Sequence, residues 1–302
     1  MADAAEPVIV AEGLEKRYGD VHAVRGVSFR IWPGTCVGLL GPNGAGKTTT
    51  MRMIMGLTRP TAGRLLLFGA RPQALGRALR ARIGLVPQED NLDPDLSVRQ
   101  NLDVYGRYFG IPPAYLAARV PALLAFMQLE ERGDAQVMQL SGGMKRRLVI
   151  ARALIADPAL VFLDEPTTGL DPQARVLIWR RLLDLKRDGK TLLLTTHYMD
   201  EAQRLCDRII VIDGGKVLDE GTPQELIARH VRGHVLEVAK PLPPGFVEDG
   251  LEREDIGDAV LYYAADPDEV RRRLPPDATY LHRPANLEDV FLRLTGRKLR
   301  ER

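Results

Sequence analysis

Cysteine is almost absent: Cys36 and Cys206 are the only two in 302 residues. Two thiols cannot make a disulfide framework. Both sit in apolar surroundings, as small buried hydrophobes of a reducing compartment do. Excess charge is missing as well. The 42 basic and 40 acidic side chains leave a net charge of +2, which gives no electrostatic reason to expect a nucleic-acid partner. No apolar run reaches the roughly eighteen residues needed to cross a bilayer, so a role at a membrane would require another polypeptide to hold the chain there. The opening Met1-Ala2-Asp3-Ala4-Ala5-Glu6 has neither the basic n-region nor the apolar h-region of a secretory signal. Internal repeats and low-complexity tracts are also missing. What remains is an ordinary globular composition, 45% hydrophobic and 27% charged, long enough for one large domain or a domain with an appendage.

Against that background one stretch is specific. Gly41-Pro42-Asn43-Gly44-Ala45-Gly46-Lys47-Thr48 fits G-x-x-x-x-G-K-[ST], a phosphate-binding loop. It follows the apolar run Cys36-Val37-Gly38-Leu39-Leu40 and precedes residues 48–55, which read as a helix. Strand, glycine loop and helix are the context the motif requires. Glycines let consecutive backbone N–H groups turn toward a phosphate, and a helix N-terminus adds partial positive charge. Lys47 is expected to reach the β- and γ-phosphates of a nucleotide, and the Thr48 hydroxyl to hold Mg²⁺.

Residues 8–14 read as a first strand. Val27, Phe29 and Ile31 alternate with Ser28, Arg30 and Trp32, a second strand with one face buried. Tyr18, before Gly19, offers a π-face for an adenine ring, although an aromatic before a turn also serves simply to pack. Further strands are expected at 64–68 and 83–87, with Gln88 next. Residues 97–109, 114–129 and 142–156 look helical, so 91–156 reads as a helical subdomain inserted into an α/β core. Leu160-Val161-Phe162-Leu163 is uninterrupted, as strands buried on both faces of a parallel sheet are, and it ends in Asp164-Glu165. Asp171 caps a helix over 171–187, with Pro172 at its first position. A strand at 191–195 leads to Thr196-His197. Gly214-Gly215 joins 208–213 to 216–219 in a hairpin, and Thr222 caps a short helix. Composition shifts near His230. The breaker-rich Lys240-Pro241-Leu242-Pro243-Pro244-Gly245 leads into weaker strands at 260–263 and 279–281 and helices at 268–274 and 287–294, a small α+β appendage.

A parallel sheet delivers strand ends to one edge, which would set Asp164 and Glu165 beside the glycine loop. Asp164 is then placed to bind Mg²⁺ near Thr48, and Glu165 to polarise a water. A positioned base is worth about 10²–10⁴ in rate. Leu140-Ser141-Gly142-Gly143-Met144 opens the helix that carries Lys145, Arg146 and Arg147. One hydroxyl, two open backbone N–H groups and a helix N-terminus make a second anion site. Residues 41–48 already wrap one nucleotide's phosphates. The economical occupant of the second site is therefore the γ-phosphate of an ATP held by another copy or a sister subunit.

This ordered set resembles the ATP-binding cassette family over about residues 8–226. Gln88 matches the Q-loop, Leu140 to Met144 the signature, Leu160 to Asp164 with Glu165 the Walker B strand and its catalytic acid, Gly169-Leu170-Asp171 the D-loop, and His197 the switch histidine. Tyr18 stands where the family places its adenine-stacking aromatic. Met144 stands where many members have glutamine. The resemblance implies a P-loop NTPase (RecA-like) α/β core at 8–230, with an antiparallel β subdomain, the inserted helices at 91–156 and an appendage at 231–302. It implies that two cassettes, as a homodimer, sandwich two ATP molecules, with Glu165, His197 and Lys47 as catalytic residues. Nucleotide contacts would come from Tyr18, Gly41, Pro42, Asn43, Gly44, Ala45, Gly46, Lys47, Thr48, Thr49, Gln88, Ser141, Gly142 and Gly143, and Mg²⁺ would be held by Thr48, Gln88 and Asp164. An integral membrane permease would be the other partner, docked near residues 92–109, with the chain peripheral on the cytoplasmic face of the inner membrane.

Finer matches lie at Pro87-Gln88-Glu89-Asp90-Asn91-Leu92-Asp93, at Leu140-Ser141-Gly142-Gly143-Met144-Lys145-Arg146-Arg147-Leu148, at Thr195-Thr196-His197-Tyr198-Met199-Asp200-Glu201-Ala202 and at Asn286-Leu287-Glu288-Asp289-Val290-Phe291-Leu292. They resemble the ATPase subunits of ABC-2-type exporters of the nodulation-factor (lipo-oligosaccharide) and daunorubicin-resistance groups. A drug or polysaccharide exporter ATPase is the alternative. A soluble cassette acting on ribosomes or DNA fits less well, because the chain shows one cassette and no heptad coiled coil between loop and signature. A regulatory module without turnover would be expected to lose Glu165 or His197, and both are present.

Overall fold

The structure, a computed structural model, describes residues 6–296 apart from Arg232 and Asp277. Residues 1–5, read above for a secretory signal, and 297–302, the end of the appendage, lie outside the described residues. The chain forms two compact units, Met1–Leu218 and Asp219–Arg302.

The first unit begins with β1 (Ile9–Tyr18) and β2 (Val21–Ile31), which pair antiparallel. Then come β3 (Cys36–Leu40), α1 (Lys47–Ile54) and β4 (Ala62–Leu67). Strands β2, β1 and β4 form a three-stranded sheet in that order. Both β1 and β2 run further than their alternating stretches suggest. The register shifts between Ala11 and Leu14 and again between Lys16 and Arg17. Each shift breaks the two-residue period by which a strand is read.

The second sheet carries the site. After α2 (Arg77–Arg80) come β5 (Ile83–Val86), then α3 (Val98–Tyr108), α4 (Pro113–Phe126) and α5 (Gly142–Ala153), then β6 (Leu160–Asp164), α6 (Pro172–Arg187), β7 (Thr191–Thr196), α7 (Met199–Leu205), β8 (Arg208–Asp213) and β9 (Lys216–Gly221). The order across the sheet is β5-β6-β7-β3-β8-β9. Every residue of β3 and of β7 is buried, as are Leu160 to Leu163 of β6. That is why these strands read as continuous apolar runs. From β5 to β8 the pairing is parallel, with Val86 opposite Leu163, Asp164 opposite Thr195 and Leu40 opposite Thr196. Parallel register at those positions carries Gly41, Gln88, Glu165 and His197 off the same edge of the sheet.

Beneath the loop, Ile9, Leu14, Ile31, Leu39, Met51, Met53, Ile54 and Phe162 share one core. Burying each such side chain is worth about 1.5–3 kcal/mol, which anchors α1 between the two sheets. Helices α3, α4 and α5 fall between β5 and β6 in sequence. Ser97 starts α3 with a capping box completed by Gln100. Cys36 and Cys206 are free and buried, their sulfurs 4.0 Å apart.

The second unit contains α8 (Pro223–His230), β10 (His234–Ala239), β11 (Glu252–Asp255), β12 (Ala259–Ala264), α9 (Pro267–Arg271), β13 (Tyr280–Pro284) and α10 (Leu287–Thr295). Its sheet is antiparallel in the order β11-β12-β10-β13. Leu236, Val238, Val260, Tyr262, Val270 and Leu274 form its core. Strands β10 and β11 were not expected. The sequence of β11 is Glu-Arg-Glu-Asp, with no apolar residue to give a pattern, and it lies at an edge where charge prevents further pairing.

Candidate active site

The glycine loop is shaped by close approach. A Cβ on Gly41 would sit 2.0 Å from the Ile212 carbonyl oxygen, so only glycine fits beside β8. Gly46 has φ +102° and lies against the Ala23 carbonyl, where a side chain would meet both strain and backbone. The loop is closed by Ala45 N–H donating to the Pro42 carbonyl at 3.1 Å and Gly215 N–H donating to the Ala45 carbonyl at 3.0 Å. Lys47 is buried, and its ammonium donates to the carbonyls of Gly41 at 2.6 Å and Pro42 at 3.0 Å. Burial lowers its pKa, and the charges of Glu165 and Asp164 act in the opposite sense. Asn43, Gly44 and Thr48 are exposed at the mouth, Pro42 and Thr49 half-buried.

Opposite the loop, β6 ends in two acids with different settings. The Thr195 hydroxyl donates to Asp164 Oδ1 at 2.5 Å and also accepts from Glu165 N–H at 3.2 Å. Glu165 is left-handed, with φ +46° in a residue that is not glycine. Such backbone strain costs on the order of 1–3 kcal/mol and persists where surroundings enforce it. Gln88 Nε2 donates to Glu165 Oε2 at 3.3 Å, and the Thr168 hydroxyl donates to the same oxygen at 3.2 Å. His197 Nδ1 stands 3.3 Å from Glu165 Oε1. The hydrogen bond with His197 is the main reason the Glu165 carboxyl lies below the usual range, with the His197 charge, Thr168 and Lys47 acting the same way against burial. The carboxylate is therefore ionised and aimed, with hydrogen bonds on both oxygens.

Sequence reading missed the residue that joins these parts. In sequence Arg146 is simply one of three cations, with Lys145 and Arg147, on the helix that opens at Ser141. In the structure it turns inward from α5 and is buried. Its Nε donates to the Pro166 carbonyl at 2.7 Å, and Nη2 donates to the carbonyls of Asp164 and Glu165, each at 3.0 Å. Nη1 donates to the Pro87 carbonyl and to that of Gln88 at 3.3 Å. Arg147 also turns to structure, donating to the carbonyls of Met127 at 2.8 Å and Gln128 at 3.0 Å. A signal for Arg146 was present: it shares a helical stripe with Val149, Ile150 and Ala153, all buried.

Ser141 caps α5, its hydroxyl accepting from Met144 N–H at 3.3 Å. Gly142 is exposed, and a Cβ on Gly143 would lie 3.0 Å from that of Ala174 in α6. Ser141 thus contacts α5 and Gly143 approaches α6, and none of the hydrogen bonds that join Gln88, Glu165 and His197 involves this turn. Tyr18 is 47% exposed, with the Lys16 ammonium 4.9 Å from its ring centroid. A buried acid, Glu201, was also not foreseen. Its Oε1 accepts from the Thr167 hydroxyl at 2.7 Å and from Trp179 Nε1 at 2.9 Å, tying β7's exit to α6. Thr48, Asp164 and Gln88 supply hard oxygen donors. Among the described residues no group of three or more His, Cys, Asp or Glu could hold a metal ion. That donor set, with one carboxylate, suits Mg²⁺, which binds hard oxygens through one or two carboxylates and completes its shell with phosphate and water.

The chain is 51% identical to the Nod factor export ATP-binding protein I of Ralstonia nicotianae, across 98% of this chain and 96% of that protein. It is 52% identical to the protein of the same name from Paraburkholderia xenovorans, across 98% and 99%. The chain belongs to the ATP-binding cassette transporter family. The ABC transporter family model matches residues 24–168 of the cassette, and the C-terminal domain of the nodulation factor export protein NodI matches residues 249–296. Solved cassettes share the fold. One ATP-binding subunit of an ABC transporter is 30% identical, with a TM-score of 0.67 over 74% of this chain and 92% of that one. The dimeric post-hydrolysis cassette MJ0796, bound to ADP and phosphate, is 29% identical, with a TM-score of 0.64 over 71% and 98%. The cassette is accordingly an ATPase.

Proposed function

We propose that this cassette is the ATP-hydrolysing subunit of an ABC-2-type exporter whose cargo is a lipo-oligosaccharide of the nodulation-factor type. The observation that carries the reading is the near full-length likeness to Nod factor export proteins, which extends into residues 249–296 of the second unit. Residues 41–49 bind the ATP phosphates, with Lys47 at the β- and γ-phosphates and Tyr18 against the adenine. Thr48, Asp164 and Gln88 hold Mg²⁺, which when bound neutralises phosphate charge. Glu165, ionised and steadied by His197, Gln88 and Thr168, accepts a proton from the attacking water. The other half of each centre comes from a second copy, whose Ser141, Gly142 and Gly143 meet the γ-phosphate. Closure of the pair excludes water.

Among the described residues no helix is long and apolar enough to cross a membrane. In this reading a separate permease forms the pathway, and the cassette sits at the cytoplasmic face of the inner membrane against it. Co-expression with a candidate multi-span permease tests this. The cassette should move to the membrane fraction, and labelled lipo-oligosaccharide should be released only with an intact Lys47. Release that continues with Lys47→Ala would contradict the reading.

A further inference from the structure

Arg146 holds five carbonyl oxygens from two separate segments. Two belong to the turn after β5, at Pro87 and Gln88, and three to the turn after β6, at Asp164, Glu165 and Pro166. Those turns present the hydrogen-bonded pair Gln88 and Glu165. Glu165 has left-handed backbone; Arg146 bonds to its carbonyl, as Thr168 N–H does at 3.4 Å, while Thr195 holds its N–H. Arg146 itself stands on α5, the helix whose first turn is Ser141, Gly142 and Gly143. The same helix grips the β5 turn once more, where Arg152 donates to the carbonyls of Asn91 at 2.5 Å and Asp90 at 3.3 Å. Of these two arginines, Arg146 alone spans both turns. A guanidinium suits that task because its five N–H donors lie in a rigid plane, whereas an ammonium has three donors about one point.

We propose that Arg146 is a positioning residue for hydrolysis. It fixes Glu165 and Gln88 relative to one another and links their geometry to α5, so that movement of the signature turn and alignment of the general base occur together. The proposal rests on the hydrolytic roles given above to Glu165 and Gln88. Arg146 touches neither the phosphate loop nor Lys47 in the contacts described, so nucleotide affinity and turnover should separate when it is altered.

The test is Arg146→Lys in the full chain, which keeps the charge and loses the fork. ADP affinity without Mg²⁺ should stay within about twofold of wild type, while kcat falls about tenfold or more with KM within about threefold. Turnover within about twofold of wild type would overturn the proposal, and so would equal losses of ADP affinity and kcat. Should the variant fail to fold, hydrogen exchange on the wild-type chain decides. Nucleotide binding should protect amides at 88–90, 164–165 and 143–146 together, and independent responses would overturn the link. A wild-type chain that neither bound ADP nor hydrolysed ATP would instead sink the hydrolytic reading. Normal wild-type turnover with an unaffected Arg146→Lys sinks the Arg146 proposal alone.

Discussion

Replacing Glu165 by glutamine removes a charge and almost no volume. The wild-type carboxylate accepts from Gln88 at 3.3 Å and Thr168 at 3.2 Å and faces His197 Nδ1 at 3.3 Å. Its acidity is held below the usual range chiefly by His197, so it is ionised at neutral pH and free to take a proton. Glutamine keeps one acceptor oxygen and turns the other position into an NH₂. That NH₂ must face the donors of His197 or of Gln88 and Thr168, and it cannot take a proton from water. A positioned base contributes about 10²–10⁴ in rate, which is about 2.7–5.4 kcal/mol at 1.36 kcal/mol per tenfold. Lys47 loses one of the two charges that counter the effect of its burial, but Asp164 and its bonds to Gly41 and Pro42 remain. ATP affinity should therefore change by less than about tenfold, while kcat falls by about 10²–10⁴. Single-turnover phosphate release and equilibrium ATP binding on the full chain measure the two separately. Undiminished hydrolysis would show that another group activates the water. An affinity loss as large as the rate loss would show that Glu165 binds ATP rather than acts on it.

Other changes test other parts. Lys47→Ala should leave the fold intact and weaken ATP binding at least about tenfold, since hydrogen bonds to a charged group contribute about 1.5–3 kcal/mol each; calorimetry that finds unchanged affinity refutes the assigned contact. Burial raises the pKa of Glu201, with bonds from Thr196, Thr167 and Trp179 opposing. Its protonated form therefore favours the fold, and this contribution is complete below the ordinary carboxyl range and lost as pH rises through the raised value. Glu201→Gln should gain in Tm relative to wild type as pH rises; a difference independent of pH contradicts that. In the second unit, Asp289 is 1% exposed, accepts two bonds from Arg283 at 2.7 and 2.8 Å, and closes the capping box of α10. Asp289→Ala should cost about 3 kcal/mol by urea unfolding, the low end for a broken buried pair because Arg283 can reach water; a loss well under 1 kcal/mol would show that the pair is not needed.

How much of this was legible depended on where each residue's signal lay. The phosphate loop, the Leu160-to-Leu163 run and the Thr191-to-Thr195 run each carry a local pattern, because strands buried on both faces have no alternative but continuous apolar sequence. Parallel pairing then follows, and with it a common edge for Gly41, Glu165 and His197. Arg146 was hidden because its partners are backbone carbonyls, which leave no trace in side-chain sequence. Lys145, Arg146 and Arg147 look alike in a row, and only helical phase separates the inward member. The hydrogen bond from Thr195 to Asp164 likewise joins residues 31 apart that only strand register brings together. Strand β11 was invisible because edge strands need no apolar face.

In the proposed mechanism each chain carries two incomplete half-sites, the phosphate loop with its acid and the signature turn, and only pairing makes a working centre. Sedimentation of purified Glu165→Gln, with and without saturating Mg-ATP, tests this most directly. The predicted result is a doubling of the 33.5 kDa single-chain mass with Mg-ATP and a return to the single-chain mass with ADP. A strictly single-chain mass under saturating Mg-ATP, with or without the membrane partner, would contradict it.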